Sequence, residues 1–417
     1  MEKLVKGEDR TSDASKGRLI GNRCHICTGC GRCFGQTEAM TIVADGGLLK
    51  VWQELCAFKE NRKLVAVDIG TTTIAMVLFD KDGKEEGRFV TVNPQVKYGR
   101  DVLSRIQAAE NPADAEVMTT GIRRVLEQGL KYLRERSDAA ELRLLIAGNT
   151  TMTYLLMGDD PAELGRVPFH ASHLEPRTME LGDIKGTVFG GLSTFVGGDI
   201  LAGIYAGEMA EQEEITLFID LGTNGEMALG NRERIIACST AAGPAFEGGV
   251  TTGVWGADIV HLTAELLRKG LVDDTGLLAD EYFEEGVLIG NVRVTQQSIR
   301  NLQLAKGAIA AGIGTLVEKY GLSDISQIKR VVLAGGFGYF LQAEDAAAIG
   351  LIPKALSQKV ESGGNTALAG IFRYGFSEEE AAEKAIHDIV EKTTVINLAE
   401  QDSFQDSFIE AMNLEAW

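Results

Sequence analysis

Between Gly21 and Gln36 the sequence GNRCHICTGCGRCFGQ places Cys24, Cys27, Cys30 and Cys33 at every third position. Cysteines at this spacing in a glycine-containing loop can converge on one metal ion or cluster. Cys56 lies a little further on, so five of the six cysteines fall in the first fifth of the chain and only Cys238 stands apart. Two other short stretches have the residue types for phosphate chemistry. Asp68-Ile69-Gly70-Thr71-Thr72-Thr73 and Asp220-Leu221-Gly222-Thr223-Asn224-Gly225 each follow an apolar run. A glycine after a strand lets the backbone turn tightly, so that successive N–H groups and Thr or Asn side chains point at one anion. An aspartate beside a phosphate needs a cation between them, which points to Mg²⁺ held by carboxylates, waters and phosphate oxygens. A third stretch, LAGGFGYF, contains Gly335, Gly336 and Gly338 and would let the backbone approach a flat group such as adenosine.

The elements around these turns repeat. KLVAVDIGTTTIAMVLFDKDGKEEGRFVTV reads as strand, Gly-Thr turn, strand, Asp82-Gly83 turn and strand; ITLFIDLGTNGEMALGNRERIIACST repeats that plan with a Gly230-Asn231 turn. Helical patterning is expected over about 113–137 and 296–318, with further strands at LRLLIAG and RVVLAGG. The expected fold is α/β: two duplicated halves with a cleft between them. Residues 1–20 read as a polar tail, 21–63 as a cysteine-rich module, 64–210 as the first half and 211–417 as the second.

Charge separates the module from the body. Residues 1–63 carry 11 Lys and Arg against 8 Asp and Glu, a net of +3, which leaves −22 of the total −19 for the rest. Such an acidic chain is a poor nucleic-acid binder. The first twenty residues lack an apolar secretory core and no later stretch has membrane-spanning length, so a cytoplasmic protein without a membrane partner is expected. In a reducing cytosol clustered cysteines favour a metal or redox site over disulfides.

Taken in order, the two Gly-Thr turns and the glycine motif resemble the superfamily of acetate and sugar kinases, heat-shock chaperone ATPases and actin, which implies an α/β fold of duplicated RNase H-like halves around a nucleotide cleft. The blocks NPQVKYGRDVLSRI, GNTTMTYLLMG, VGGDILAGIYAG, IDLGTNGEMALG, STAAGPAFEGG, QLAKGAIAAGI, LAGGFGYFL and GNTALAG are similar to the nucleotide-binding part of the reductive activators of corrinoid enzymes. That resemblance runs from about residue 64 to the C-terminus. It implies an ATP-dependent protein that passes one low-potential electron from an iron-sulfur cluster to the cob(II)amide of a corrinoid protein. It also implies an upstream electron donor, and it allows a homodimer.

Members of that family begin with a plant-type ferredoxin domain whose ligand run is C-x4-C-x2-C. Here CTGCGRC is instead similar to the C-x2-C-x2-C core of bacterial ferredoxins, although Thr37 and Glu38 stand where that run has its fourth cysteine and proline. One [4Fe-4S] cluster is expected on Cys27, Cys30 and Cys33, completed by Cys24 or Cys56; a structural zinc on the same thiols is the alternative.

Among the carboxylates, Glu226 follows the second turn and could orient a hydrolytic water, or serve as a salt-bridged turn residue. Glu247 in GPAFEGG is a similar case. Lys306 and Gln303 precede the glycine motif on a helix and could reach the nucleotide, or take a solvated or interdomain place. Cys238 reads as a buried small hydrophobe, His25 as an exposed neighbour of the thiols, and His170 and His173 as surface or cleft residues. A small-molecule kinase and a nucleotide-switched, zinc-bearing scaffold protein are the competing functions, since fold alone does not choose among them.

Overall fold

The computed structural model describes residues 47–55, 62–137, 141–222, 224–242, 256–290 and 292–417. The strands are β1 (Lys63–Ile69), β2 (Thr73–Phe79), β3 (Glu85–Val92), β4 (Leu142–Gly148), β5 (Arg177–Leu181), β6 (Ile184–Val188), β7 (Ile215–Leu221), β8 (Gly225–Gly230), β9 (Ile235–Thr240), β10 (Val287–Ile289), β11 (Val292–Val294), β12 (Ile328–Ala334), β13 (Val360–Gly364) and β14 (Thr393–Ile396).

One sheet has the order β3-β2-β1-β4-β6-β5 and the other β13-β12-β7-β8-β9-β14; β10 and β11 form a separate hairpin. Read from its far side, the second sheet gives β9-β8-β7-β12-β13, the same path as β3-β2-β1-β4-β6 in the first. In both, a hairpin-linked antiparallel trio is followed by strands parallel to the first of the trio. This is the duplicated RNase H-like plan that the repeated strand-turn-strand pattern predicts. β5 extends the first sheet beyond β6, whereas β14 extends the second beyond β9.

The duplication reaches single positions. β1 (KLVAVDI) and β7 (ITLFIDL) share one burial pattern, in which the sixth residue, Asp68 or Asp220, is the partly open one near the strand end. Their apolar runs are continuous because both sheet faces are covered. On the outer face of the first sheet Val65, Val67 and Met76 pack with Ile122 and Leu126 of the helix Pro112–Arg134. The outer face of the second packs Leu217, Ile219 and Met227 with Leu302 and Ile309 of the helix Gln296–Tyr320.

Between the sheets lie two helices, Gly198–Ala206 and Thr366–Phe376, which share one core with Ala66, Val77, Phe218 and Val332 from the two inner faces. Glycine lets them touch backbone to backbone. A Cβ on Gly370 would stand 2.0 Å from the carbonyl oxygen of Ala202, and one on Gly203 2.6 Å from the Phe218 ring. The helix Gly47–Leu55 belongs by sequence to the segment assigned to the cysteine module, yet its Leu48 and Leu49 are buried in this same core.

Candidate functional site

The first Gly-Thr turn joins β1 to β2 and is closed by Gly70 N–H donating to Thr73 O at 2.9 Å; the second joins β7 to β8 and is closed by Gly222 N–H donating to Asn224 O at 3.0 Å. Three buried side chains grip the first turn from behind. Asn93 Nδ2 donates to Gly70 O at 2.9 Å, Arg105 Nη2 donates to Thr71 O, and Asn149 Nδ2 donates to Thr71 Oγ1 at 3.0 Å. Asn93 backbone N–H also donates to Thr72 O at 2.8 Å. In a planar trans peptide the N–H points opposite the carbonyl. With the carbonyls of residues 70 and 71 turned toward the protein, the N–H groups of Thr71 and Thr72 face the other way, as an anion site requires.

Four carboxylates meet at the two turns. Asp68 and Asp220 end β1 and β7, Glu226 lies directly opposite Asp220 across β8, and Asp199 sits in the first turn of Gly198–Ala206. The three aspartates keep some accessible surface while protein surrounds them, as groups on the floor of a cleft do. Burial is the main cause that pushes their carboxyls up, Asp68 to about 6, Asp220 to about 7 and Asp199 to about 8. Mutual repulsion adds to it: Asp68 acts on Asp220, and both act on Asp199. Glu226, 7% exposed, is raised well above the carboxylate range by burial and then by Asp199 and Asp220. Asn365 Nδ2 donates to Asp68 Oδ2 at 2.7 Å, and Asn224 bonds Glu226.

Carboxylates crowded and desolvated in this way are what a divalent cation relieves. Among the described residues the only trio of ligand-type groups within 4.8 Å of one another is His387, Asp388 and Glu391, so the cleft carboxylates are more widely spaced. That spacing suits Mg²⁺, which takes one or two carboxylates and fills its octahedron with waters and phosphate oxygens.

The glycines show where a ligand has room. Gly335 has φ +84°, and a Cβ there would lie 2.6 Å from Leu221 O and 2.8 Å from Asp220 Oδ1, so the third motif abuts the second turn. Among the described residues a Cβ at Gly336 would meet nothing within 4 Å, and one at Gly222 only Asn224 O at 3.8 Å. Gly222 is not in the left-handed region, so open space and not backbone conformation sets its requirement. Gly225 and Gly338 serve packing: a Cβ on the first would strike Ile309 at 1.9 Å, and one on the second would approach Leu333 at 3.2 Å.

Residues 64–212 match the family model for the middle region of RACo, and residues 214–253 and 250–416 match that for the C-terminal domain of RACo, the ASKHA domain. The chain belongs to the RACo family. It is 30% identical over 414 residues to the corrinoid activation enzyme RamQ of Eubacterium limosum, covering 83% of this chain and 69% of that one. To the [Co(II) methylated amine-specific corrinoid protein] reductase of Methanosarcina barkeri it is 24% identical over 403 residues, covering 78% and 71%. Among solved structures, a reductive activator for corrinoid, iron-sulfur protein superposes with a TM-score of 0.75 at 31% identity, covering 86% of this chain and 67% of that chain.

Within this RACo chain the other expected residues take different places. Lys306, 1% exposed, donates to Asn413 O at 2.5 Å and Gly350 O at 3.3 Å, and burial lowers its ammonium to about 8. Gln303 donates to Thr275 O at 2.9 Å and Met412 O at 2.8 Å. Both side chains are engaged in holding the C-terminal segment on the helix Gln296–Tyr320. Cys238 is fully buried opposite Met227, the small-hydrophobe reading, and His170 and His173 are exposed. Cys24, Cys27, Cys30, Cys33, Cys56, His25, Thr223 and Glu247 lie outside the described residues.

Five polar residues that position the site were not singled out from sequence: Asn93, Arg105, Asn149, Asp199 and Asn365. Each lies inside a block that carries the family resemblance. Asn149 and Asn365 also stand immediately before a helix, where each caps the first turn with its own oxygen.

Proposed function

We propose that this chain is an ATP-dependent reductive activator that passes one electron from an iron-sulfur cluster on its N-terminal cysteines to the cob(II)amide of a corrinoid protein. The observation that carries the nucleotide half is the set Asp68, Asp199, Asp220 and Glu226 between two Gly-Thr turns. Asp68 and Asp220 would hold Mg²⁺, and Gly70, Thr71, Thr72 and Thr73 with Gly222, Thr223, Asn224 and Gly225 would border the polyphosphate. Gly335 and Gly336 leave room for the adenosine. Bound Mg²⁺ supplies charge neutralisation of the phosphate oxygens. Glu226, paired with Asp220 beside the second turn, would orient the hydrolytic water.

The electron half rests on the kinship with named corrinoid activators and on the thiols. A cluster held by these thiols would supply one electron, which would take the partner's Co(II) to Co(I), and an upstream donor would restore that electron. The step is uphill for an ordinary cluster, and nucleotide must help. A tenfold equilibrium shift corresponds to about 59 mV for one electron. A ligand that prefers one of two conformations by ~10⁴-fold contributes about 5.5 kcal/mol, or roughly 240 mV. Cys27, Cys30 and Cys33 would ligate a [4Fe-4S] cluster with Cys24 or Cys56 as the fourth ligand.

The test is anaerobic purification of the full chain with iron and acid-labile sulfide analysis, followed by ATP turnover with and without a cob(II)amide-bearing protein. Iron and sulfide together, and turnover that rises with the corrinoid protein, are expected. A colourless protein containing one zinc would overturn the electron half. A phosphorylated sugar or acid formed in stoichiometric yield with ADP would replace the whole reading by that of a kinase.

A further inference from the structure

The two helices between the sheets are anchored at both ends, and the helix Gly47–Leu55 runs beside them, with Gly47 toward one end and Trp52 at the other. At their N-terminal ends stand the cleft residues. Asp199 opens Gly198–Ala206, and Asn365 caps Thr366–Phe376, its Oδ1 accepting from Leu368 N–H at 2.8 Å while its Nδ2 donates to Asp68. At their C-terminal ends stands Trp52 of the helix Gly47–Leu55. Trp52 Nε1 donates to Ala206 O, the last residue of the first helix, at 2.9 Å. Arg373, in the second, lies between the Trp52 ring at 4.2 Å and the Tyr205 ring at 4.1 Å, and donates to Glu211 at 2.7 Å. Gly47, with φ +58°, presses so close to β13 that a Cβ would stand 2.1 Å from Gly363 O, two residues before Asn365. Cys33 precedes Gly47–Leu55 in the chain and Cys56 follows it directly.

We propose that Asn365 is the positioning residue that ties Asp68 to the Thr366–Phe376 helix, and that through this pair of central helices the occupancy of the cleft is relayed to Gly47–Leu55, the segment flanked by the cysteines. A single amide performs two tasks. Its oxygen fixes the first turn of the helix, and its nitrogen fixes the carboxylate, so a change in what Asp68 binds alters a bond made by the cap itself. Helices move as stiff bodies when close-packed. A tilt at the N-terminal ends is therefore felt at the C-terminal ends, where Trp52 and Arg373 clamp the two helices to a third. Reciprocity follows, because a coupling free energy acts equally in both directions. This proposal rests on the nucleotide reading of the cleft.

The experiment follows hydrogen exchange of the peptide covering residues 47–55 in the full-length protein, with and without Mg²⁺ and a non-hydrolysable ATP analogue, while calorimetry measures analogue binding separately. In the wild type the analogue should change exchange in that peptide by about fivefold or more, the lower edge of ordinary allosteric coupling. Asn365→Asp and Asn365→Ser both keep a capping oxygen and both lose the amide donor. Saturated with analogue, either should reduce the change to less than about twofold. Two variants are used so that a folding failure in one leaves the other. Undiminished change in the folded variant overturns the relay, as does an analogue-saturated wild type with no change at residues 47–55. A wild type that binds no analogue by calorimetry overturns the cleft reading itself, and the relay with it.

Discussion

A methyl group on Gly335 would lie 2.8 Å from Oδ1 of Asp220, so the glycine motif and the second carboxylate turn form one packed unit although 115 positions separate them (335 − 220). Gly335 also sits at φ +84°, which costs an L-residue about 1–2 kcal/mol before any clash. Gly335→Ala should therefore destabilise the protein by about 2 kcal/mol or more in a denaturant titration. Among the described residues the methyl of Gly336→Ala meets nothing within 4 Å, so stability should hold within about 0.5 kcal/mol. Its methyl nevertheless intrudes where the nucleotide is placed, and ATP affinity should fall about tenfold. Unchanged affinity in Gly336→Ala would move the adenosine seat elsewhere.

The paired turns were legible because a strand, a glycine turn and a strand leave a local signature, and the chain contains it twice. The carboxylates Asp68, Asp220 and Glu226 come with those turns. Asp199 and Asn365 were not legible as site residues, since small and apolar residues follow them in DILAGIYAG and NTALAG and only the crossing of the two halves brings the first turns of their helices to the cleft. Lys306 illustrates the opposite error: a lysine near a nucleotide motif suggests phosphate contact, but its partners are carbonyls of Gly350 and Asn413 in distant sequence. The helix Gly47–Leu55 follows the same logic. It is short and adjoins the cysteines, and only its buried Leu48 and Leu49 reveal that it belongs to the body.

The carboxylate cluster makes the cation-free protein sensitive to alkaline pH. Folded-state values for Asp68, Asp220 and Asp199 lie near 6, 7 and 8, above the 3.8 of an unperturbed aspartate. Between about pH 4 and 8 the folded state thus binds more protons than the unfolded state, and stability falls as pH rises through that window. A tenfold difference in proton affinity between the two states corresponds to about 1.4 kcal/mol. Without Mg²⁺, Asp199→Asn should raise the melting temperature at pH 8 by several degrees relative to wild type and leave it nearly unchanged at pH 4. Added Mg²⁺ and nucleotide should narrow the gap by stabilising the wild type. In the same series of variants, Asp68→Ala and Asp220→Ala should lower ATP hydrolysis by orders of magnitude, on the order of 10³-fold for loss of a metal-organising group. Normal hydrolysis by both would mean that the cleft is misassigned.

Arg105 has no accessible surface and fixes the first turn through Thr71 O, with a second bond from Nε to Gly99 O at 3.0 Å. Lysine cannot reproduce that fork. Arg105→Lys should cost about 2–3 kcal/mol of stability, since buried acceptors are left unpaired. It should also raise KM for ATP more than it lowers kcat, because the turn's N–H groups lose their orientation toward the phosphate in ground state and transition state alike. A variant with wild-type KM would show that the turn holds its shape without the guanidinium.

The fourth cysteine can be decided by substitution, because its two candidates lie on opposite sides of the helix Gly47–Leu55 in the sequence. Cys27, Cys30 and Cys33 precede Gly47–Leu55 in the sequence, and each change to Ser should remove cluster iron while nucleotide binding persists within about threefold, since the cleft lies wholly in later residues. Cys24 and Cys56 differ in a useful way. Cys24 is part of the same ten-residue run as the other three, whereas Cys56 follows Leu55 directly in the sequence. If Cys56 completes the cluster, Cys56→Ser loses iron and Cys24→Ser retains it, and the cluster is bound at the end of the helix that the central pair supports. If Cys24 completes it, the losses are reversed. Iron and sulfide content of the five single variants, measured anaerobically beside wild type, separates these arrangements, and wild-type content in all five would remove the iron-sulfur assignment altogether.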